Sequence, residues 1–160
     1  MAAYAEVLLA AVVARLNDKL ASQIAANVSD YTDVVGYEEQ AVVLDHRVEF
    51  FRQYPMVQCF VLGTDYDLES SQTDRTAVYL IQVDVFTLSD SEENAEKSAR
   101  GLMRAVNDVL DDWKLAGQAI TAAVTDVRYA DTLEVGGQTR RGGARMTVTY
   151  RMTEARTTVA

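Results

Sequence analysis

The segment that most constrains the fold is residues 76–88, where apolar and mixed positions alternate without a break. Every second residue on one side is apolar: Tyr79, Ile81, Val83 and Val85. The other side is mixed, because Gln82 and Asp84 interrupt its apolar residues. A period of two is typical of a strand that packs one face on a core. We therefore predict a long strand here, with Gln82 and Asp84 presented to solvent or to a neighbouring subunit.

A second strand is predicted at residues 56–62, a short apolar run that follows the single proline of the chain, Pro55, and ends at Gly63. Proline suits the first residue of a strand, where its missing N–H costs no ladder hydrogen bond. Cys59 alternates with Val57 and Val61 and is therefore expected in the core. Residues 65–75 are polar and acidic, which favours a hairpin with its turn at residues 70–72.

Two helices are predicted from apolar spacings of three and four residues. The first covers residues 4–23, and its apolar stripe is Val7, Leu8, Ala11, Val12, Leu16 and Leu20. The second begins at a Ser-x-x-Glu capping box formed by Ser89 and Glu92, continues as a stripe to Trp113, and ends by Gly117. This stripe has the spacing that any helix covering a sheet requires, so it predicts core packing rather than a cofactor pocket.

Two further strands are predicted at residues 120–129 and 144–152. Doubled glycines at both ends of residues 136–143 predict a mobile connection between them, and Arg140 and Arg141 form a small basic spot there. Residues 27–54 show no clear period. Within them, only a short extended piece at residues 41–44 and a helical turn at residues 47–52 are indicated.

These elements predict an α+β fold in the order α-β-β-α-β-β, with the helices packed on one face of a mainly antiparallel sheet. A chain of 160 residues with 49% hydrophobic content is the size of one domain with a genuine core. We expect a single domain over residues 1–153 and a frayed tail over residues 154–160.

Charge and composition exclude several classes of protein. Fifteen basic against twenty-four acidic residues give a formal net charge of −9, which opposes wrapping around a phosphate backbone. The first apolar stretch is too short for a membrane span and lacks the pattern of a signal peptide. With one cysteine, the chain has no internal disulfide and suits a reducing compartment, so we expect it in the cytoplasm of the cell that makes it, away from membranes.

The acidic residues Asp65, Asp67 and Glu69 resemble the opening of a calcium loop, but the likeness fails further on. Ser70 stands where the sharp turn needs glycine, and Thr76 stands where a bidentate glutamate should close the site. A solvated acidic hairpin is the better interpretation. The sequence therefore predicts no metal site there.

No other catalytic or cofactor site is predicted. The single histidine, His46, lies beside Asp45 and is interpreted as a surface residue, and Cys59 as a core residue, rather than as a nucleophile with its base or as metal ligands. The glycine-rich connection lacks the lysine and Ser/Thr of a P-loop. Arg140 and Arg141 could touch DNA, but ordering against an acidic neighbour is favoured.

Three strand sequences together resemble the tail-terminator family of long-tailed phages. They are Tyr-Pro-Met-Val at residues 54–57 with Val-Leu-Gly-Thr-Asp-Tyr at 61–66, Ala-Val-Tyr-Leu-Ile-Gln-Val-Asp-Val-Phe at 77–86, and Met-Thr-Val-Thr-Tyr-Arg-Met at 146–152. That family is similar in the order of its elements: an opening helix, a proline-led strand, an acidic hairpin, a long strand leading into a helix, and a final hairpin. The likeness spans about residues 1–152 and carries no catalytic signature.

The resemblance implies a non-enzymatic virion protein at the head-proximal end of the tail. Its partners would be copies of itself in a hexameric ring, the last ring of tail-tube subunits, and a head-completion or connector protein, with DNA only as cargo in the channel. No cofactor is implied. We expect Asp65, Asp67 and Glu69 in one hairpin, and Arg140 and Arg141 in the other, to contact adjacent subunits or tube proteins.

Two alternatives remain open from the sequence. Another neck component, such as a tail-completion or head-tail connector protein, could show the same order of strands and helices. A small enzyme or ligand-binding α+β protein would require convergent polar groups, which the sequence does not assemble.

Overall fold

A computed structural model describes residues 4–30, 41–48, 53–66, 74–114, 119, 121–137 and 139–155. Within these ranges the chain forms two helices and five strands, which confirms the α+β class. In chain order they are α1 (Tyr4–Asp30), β1 (Val42–Leu44), β2 (Met56–Tyr66), β3 (Asp74–Ser89), α2 (Glu92–Leu110), β4 (Thr121–Glu134) and β5 (Arg140–Ala155). Neither described helix has the length and apolar character needed to cross a membrane.

The strands form one sheet in the order β1-β2-β3-β5-β4. All neighbours are antiparallel except β1 and β2, which run parallel. The central pair, β3 and β5, stays in register from Asp74 opposite Ala155 to Ser89 opposite Arg140. The mainly antiparallel sheet is therefore confirmed. The predicted order lacked one strand, β1, although an extended piece was expected at that place.

Both helices pack on the same face of the sheet, and the main core lies between them and the strands. The four residues of β3 predicted to face this core are at most 3% exposed. Helix α1 contributes residues spaced by four: Leu8, Val12, Leu16, Leu20 and Ile24. Val7, which was predicted in the same stripe, is 47% exposed. Adjacent side chains of a helix point about 100° apart. Since Leu8 points into the core, the side chain of Val7 points toward solvent.

Helix α2 begins two residues later than the capping box predicted. Ser89 is still part of β3, where it pairs with Arg140, so it cannot cap the helix. Instead Ser91 is the N-cap, and its hydroxyl accepts a hydrogen bond of 3.2 Å from the backbone N–H of Asn94. The helix ends at Leu110. Trp113 lies beyond it, half-buried against the core, with the Arg15 guanidinium 5.4 Å from its ring centre.

The predicted mobile connection at residues 136–143 is wrong for its second half. Residues 140–143 belong to β5 and pair with β3, and the turn lies between Val135 and Thr139, whose backbone groups form a 2.9 Å hydrogen bond. Gly136 and Gly137 have φ values of 62° and 72°, which only glycine adopts readily. Gly142 is needed for another reason, because a Cβ at this position would overlap the carbonyl oxygen of Ala95 in α2.

Other boundaries also differ from prediction, and α1 and β4 extend past their predicted ends to Asp30 and Glu134. Strand β2 continues past Gly63 to Tyr66. Its register against β3 shifts beside Gly63, and glycine is well tolerated at such an irregularity, so this residue does not end the strand. Strand β5 includes residues 154 and 155, where fraying was expected, because both pair with the start of β3. Arg47 and Val48 are irregular rather than helical. The other residues predicted to form that turn or the tail, 49–52 and 156–160, lie outside the described ranges.

Candidate assembly surface

Neither described helix packs on the opposite face of the sheet, which we call the open face. It carries the even-numbered residues of the middle of β3 and, through the pairing register, the odd-numbered residues of β5. Asp84 of β3 thus lies opposite Arg145, and Phe86 lies opposite Gly143. Both helices pack on the other side of the sheet, so they do not cover the side chains of the open face.

A buried polar network occupies the middle of the open face. The carboxylate of Asp84 accepts hydrogen bonds of 3.1 Å from the side-chain amides of Gln58 and Gln82. It also accepts from Arg145, at 3.0 Å from Nε and 3.4 Å from Nη2. Asp84 is 3% exposed, and the two glutamines are each 4% exposed. The network therefore fills the role that apolar packing has on the helix side.

The expectation that Gln82 and Asp84 face solvent is wrong, because the segment after β1 lies over this part of the sheet. The backbone N–H of Val48 donates a 3.1 Å hydrogen bond to the Gln58 side-chain oxygen. The guanidinium of Arg47 stacks 4.2 Å from the ring centre of Phe60. This cover seals the β2 side of the network and leaves its Arg145 side half-exposed.

Beside the network, a shallow groove of about 270 Å³ opens on β3, β5 and β4. It is bordered by Asp84, Phe86, Arg128, Tyr129, Gly143 and Arg145. The groove exists because small residues lie next to an aromatic ring: Gly143 pairs with Phe86 on one side and with Ala130 on the other. It is an open recess on a flat surface rather than an enclosed pocket.

Strand β4 forms one edge of the sheet and is exposed along most of its 14 residues. Tyr129 and Leu133 are 57% and 52% exposed, respectively, which is high for large apolar side chains. Register shifts against β5 occur after Val124 and after Ala130. A free edge presents unpaired backbone groups that can bind another strand, and such irregularities restrict where this pairing occurs.

The structure separates the two charged clusters predicted to form contacts. Asp65 is exposed in β2, opposite Val78, while Asp67 and Glu69 lie outside the described residues. Arg140 and Arg141 pair with the far end of β3. With about 3.3 Å per residue, the eleven strand residues between these points correspond to roughly 35 Å. One subunit therefore cannot bring Asp65 and Arg140 together.

Both predicted arginines are tied to their own subunit rather than carried on a mobile loop. The guanidinium of Arg140 lies 3.6 Å from a carboxylate oxygen of Glu134. The guanidinium of Arg141 lies 5.4 Å from the ring centre of Phe86. Their ordering comes from strand pairing, which does not require a neighbouring subunit.

The predicted positions of His46 at the surface and of Cys59 in the core are confirmed. The ring of His46 is exposed and lies 2.8 Å from the Asp45 carboxylate. Cys59 is fully buried, and burial, with smaller contributions from the charges of Asp84 and Asp45, raises the pKa of its thiol to about 12. A protonated, inaccessible thiol is a poor nucleophile. Among the described residues, no group of three metal-ligating side chains occurs.

Sequence reasoning missed Gln58 and Arg145 as members of the open face. A usable signal was present, since Gln58 is the polar residue inside the apolar run of β2, and Gln82 and Asp84 have the same position in β3. Polar residues at the centres of adjacent strands indicate a shared hydrogen-bond network. Placing them side by side required the register between the strands, which single strands do not contain.

The sequence matches no protein-family model, and no curated protein sequence matches it. Among solved structures, the chain is similar to one described as "Virion of native gene transfer agent (GTA) particle". The two share 17% sequence identity with a TM-score of 0.48, covering 95% of this chain and all of the other.

Proposed function

We propose that this protein is a non-enzymatic structural subunit of a phage tail, which forms a ring that terminates the tail tube and provides a surface for head attachment. The observation that carries the proposal is the exposed sheet surface of the described residues, where the open face over β5 and β4 is uncovered and β4 pairs with a strand along one edge only. The resemblance of three strand sequences to tail terminators points the same way.

The exposed surface suits assembly better than it suits catalysis. Large apolar side chains such as Tyr129 and Leu133 lie on a flat edge, where a partner could bury them. The groove is shallow and open, whereas small-molecule sites enclose most of their ligand. A subunit with an exposed sheet surface over β5 and β4 on one side and a helical layer on the other is two-sided, as contacts that close into a ring require.

The partners in this proposal are further copies of the chain in a hexameric ring, the tail-tube protein on one side, and a head-completion or connector protein on the other. DNA passes through the channel as cargo. This assigns the protein to the head-proximal end of the tail in the virion.

The test is to purify the protein alone and with tube subunits, measure the particle mass in solution, and image the particles by electron microscopy. Six-fold rings at tube ends, together with tubes whose growth stops when the protein is added, are the expected result. Binding to a portal-bound connector without binding to tube ends would instead identify another neck component. Protein that stays monomeric and leaves tube growth unchanged would contradict the proposal.

A further inference from the structure

The groove on the open face has a shape and charge that favour one kind of occupant. Its floor is Gly143, flanked by Phe86 and Ala130, so an apolar side chain of moderate size fits there. Filling it would remove the apolar surface of these groove residues from water. The occupant must therefore bring an exposed apolar side chain.

Arginine side chains at the groove supply donors for a carboxylate. Arg128 and Arg145 lie directly opposite each other on β4 and β5, and their side chains are 78% and 59% exposed. Arg128 uses Nε toward Asp126, at 2.9 Å, and Arg145 uses Nε and one terminal nitrogen toward Asp84. Each guanidinium has five N–H donors, so others remain for an acidic group from outside.

Within the described residues, the first turn of α1 offers the matching chemistry on the opposite side of the subunit. Val7 is 47% exposed there, and the adjacent Glu6 is exposed as well. The same side of the helix continues with Ala10 and Ala14, whose small side chains allow close approach to a flat sheet. Val7 and Glu6 together provide an apolar side chain next to a carboxylate.

We propose that the groove receives Val7 and Glu6 from α1 of a second copy of this chain, with Val7 over Gly143 and the Glu6 carboxylate between Arg128 and Arg145. This contact rests on the proposed function, because it joins the helix side of one subunit to the open face of the next. Repetition of such a head-to-tail contact closes a ring when the rotation between subunits permits it. Each of the two arginines already pairs with an aspartate of its own chain, so the guanidinium N–H donors that remain are the groups that would bind the Glu6 carboxylate.

A cross-linking experiment tests the occupant directly. Val7→Cys and Ala130→Cys are introduced together, both at exposed positions, and particles assembled with tube protein are treated with a short bis-maleimide. Native Cys59 is fully buried and does not compete. We expect a ladder of covalent oligomers that ends at the ring size. Val7→Cys with Leu62→Cys, at another exposed position of the sheet, is the matched control and should give no ladder.

Two further variants test the groove and the charge pair. Gly143→Val fills the recess and is expected to weaken subunit association about tenfold. Gly63→Val is its control, because a Cβ on Gly63 meets nothing within 4 Å. Arg128→Glu should weaken association severalfold, and Glu6→Arg in the same chain should restore most of it. Thermal unfolding of each variant shows whether the subunit fold is retained.

The outcomes separate this inference from the proposed function. Rings that form and cap tubes, but give no ladder and tolerate Gly143→Val, would overturn the inference and leave the function standing. Loss of rings in Gly143→Val without a ladder or charge rescue would assign the groove to a different partner, which also overturns it. Wild-type protein that forms no ring, with or without tube protein, removes the proposed function and this contact with it.

Discussion

In the middle of β3, both faces of the strand are buried, but they are stabilised in different ways. On the helix side, Ile81 and Val83 are fully buried among aliphatic side chains. On the open face, Gln82 and Asp84 are 4% and 3% exposed, and they are held by side-chain hydrogen bonds and the overlying residues 47 and 48. Apolar packing is non-directional, whereas a buried carboxylate depends on each donor that surrounds it. The arrangement of side chains on the open face is therefore fixed by particular hydrogen-bond partners, whereas that on the helix side is fixed by apolar packing alone.

The two faces of the sheet also have different roles, because one stabilises the subunit and the other is exposed for contact with partners. The helix side of the sheet is covered by α1 and α2, with the core packed between them and the strands. The open face changes from the buried Asp84 on β3 to the exposed Arg145 on β5 and Arg128 on β4. Because the Asp84 network holds the Arg145 guanidinium in place before a partner arrives, binding through this group costs little conformational entropy.

The largest effect is expected from removing bulk on the helix side. Ile81→Ala should lower the free energy of unfolding by about 4 kcal/mol, because it creates a cavity among fully buried side chains. Ile81→Val, which removes one methylene, should cost about 1 kcal/mol. Urea unfolding followed by circular dichroism gives both values. A cost below 1 kcal/mol for Ile81→Ala would mean that the core collapses around the gap.

Asp84→Ala is expected to cost somewhat less, about 3 kcal/mol, for a different reason. It removes the acceptor of Gln58, Gln82 and Arg145 and leaves two buried amides without their hydrogen bonds. Arg128→Ala is the control on the same face, since its ion pair with Asp126 is exposed and should contribute under 1 kcal/mol. The same unfolding measurement applies, and equal costs for the two variants would contradict a stabilising network.

The helix-covered face could be predicted from the sequence, and the open face could not. The alternation of Tyr79, Ile81, Val83 and Val85 was enough to assign the helix-covered face, because that face depends only on period and hydrophobicity. The open face depends on register, which brings Gln58 and Arg145 to Asp84 from positions 26 and 61 residues away. A local sequence pattern does not show which residues so far apart in the chain become neighbours, so the network and the groove beside it were not predicted.

The glycines around Arg140 and Arg141 show the same limit in another way. Doubled glycines usually indicate loops, and the first pair does form the turn. The second pair lies inside β5, where Gly142 makes room for α2 and Gly143 leaves the groove open. Both reasons lie in other elements of the fold. Sequence alone therefore assigned two strand arginines to a flexible connection.

These adjacent glycines permit a comparison of the faces with one methyl group. Gly142→Ala points at α2, where the added Cβ would overlap the Ala95 carbonyl and approach Thr87 Oγ1, so we expect a loss of about 2 kcal/mol. Gly143→Ala points into the groove, where the closest atoms are at 3.6 Å, and should change stability by less than about 0.5 kcal/mol. Thermal unfolding of the two variants side by side is the measurement. Similar melting temperatures would show that α2 yields to the methyl group.

A further small effect concerns Cys59, which lies on the helix side but responds to a charge on the open face. Burial first, and then the carboxylate of Asp84, raises the pKa of its thiol from 9.0 to about 12. The folded chain keeps this proton as the pH rises through 9 while the unfolded chain loses it, so stability falls with increasing pH in the window from 9 to 12.

Between pH 8 and pH 9.5 this group should therefore lower the free energy of unfolding by about 0.8 kcal/mol, at 1.36 kcal/mol per pKa unit. Cys59→Ala abolishes that increment, and all other titrating groups are common to both proteins. The comparison of urea unfolding at the two pH values consequently cancels the packing cost of the substitution itself. Identical pH dependence in the two proteins would mean that the native thiol titrates near its ordinary pKa, and that neither burial nor the open-face carboxylate acts on it.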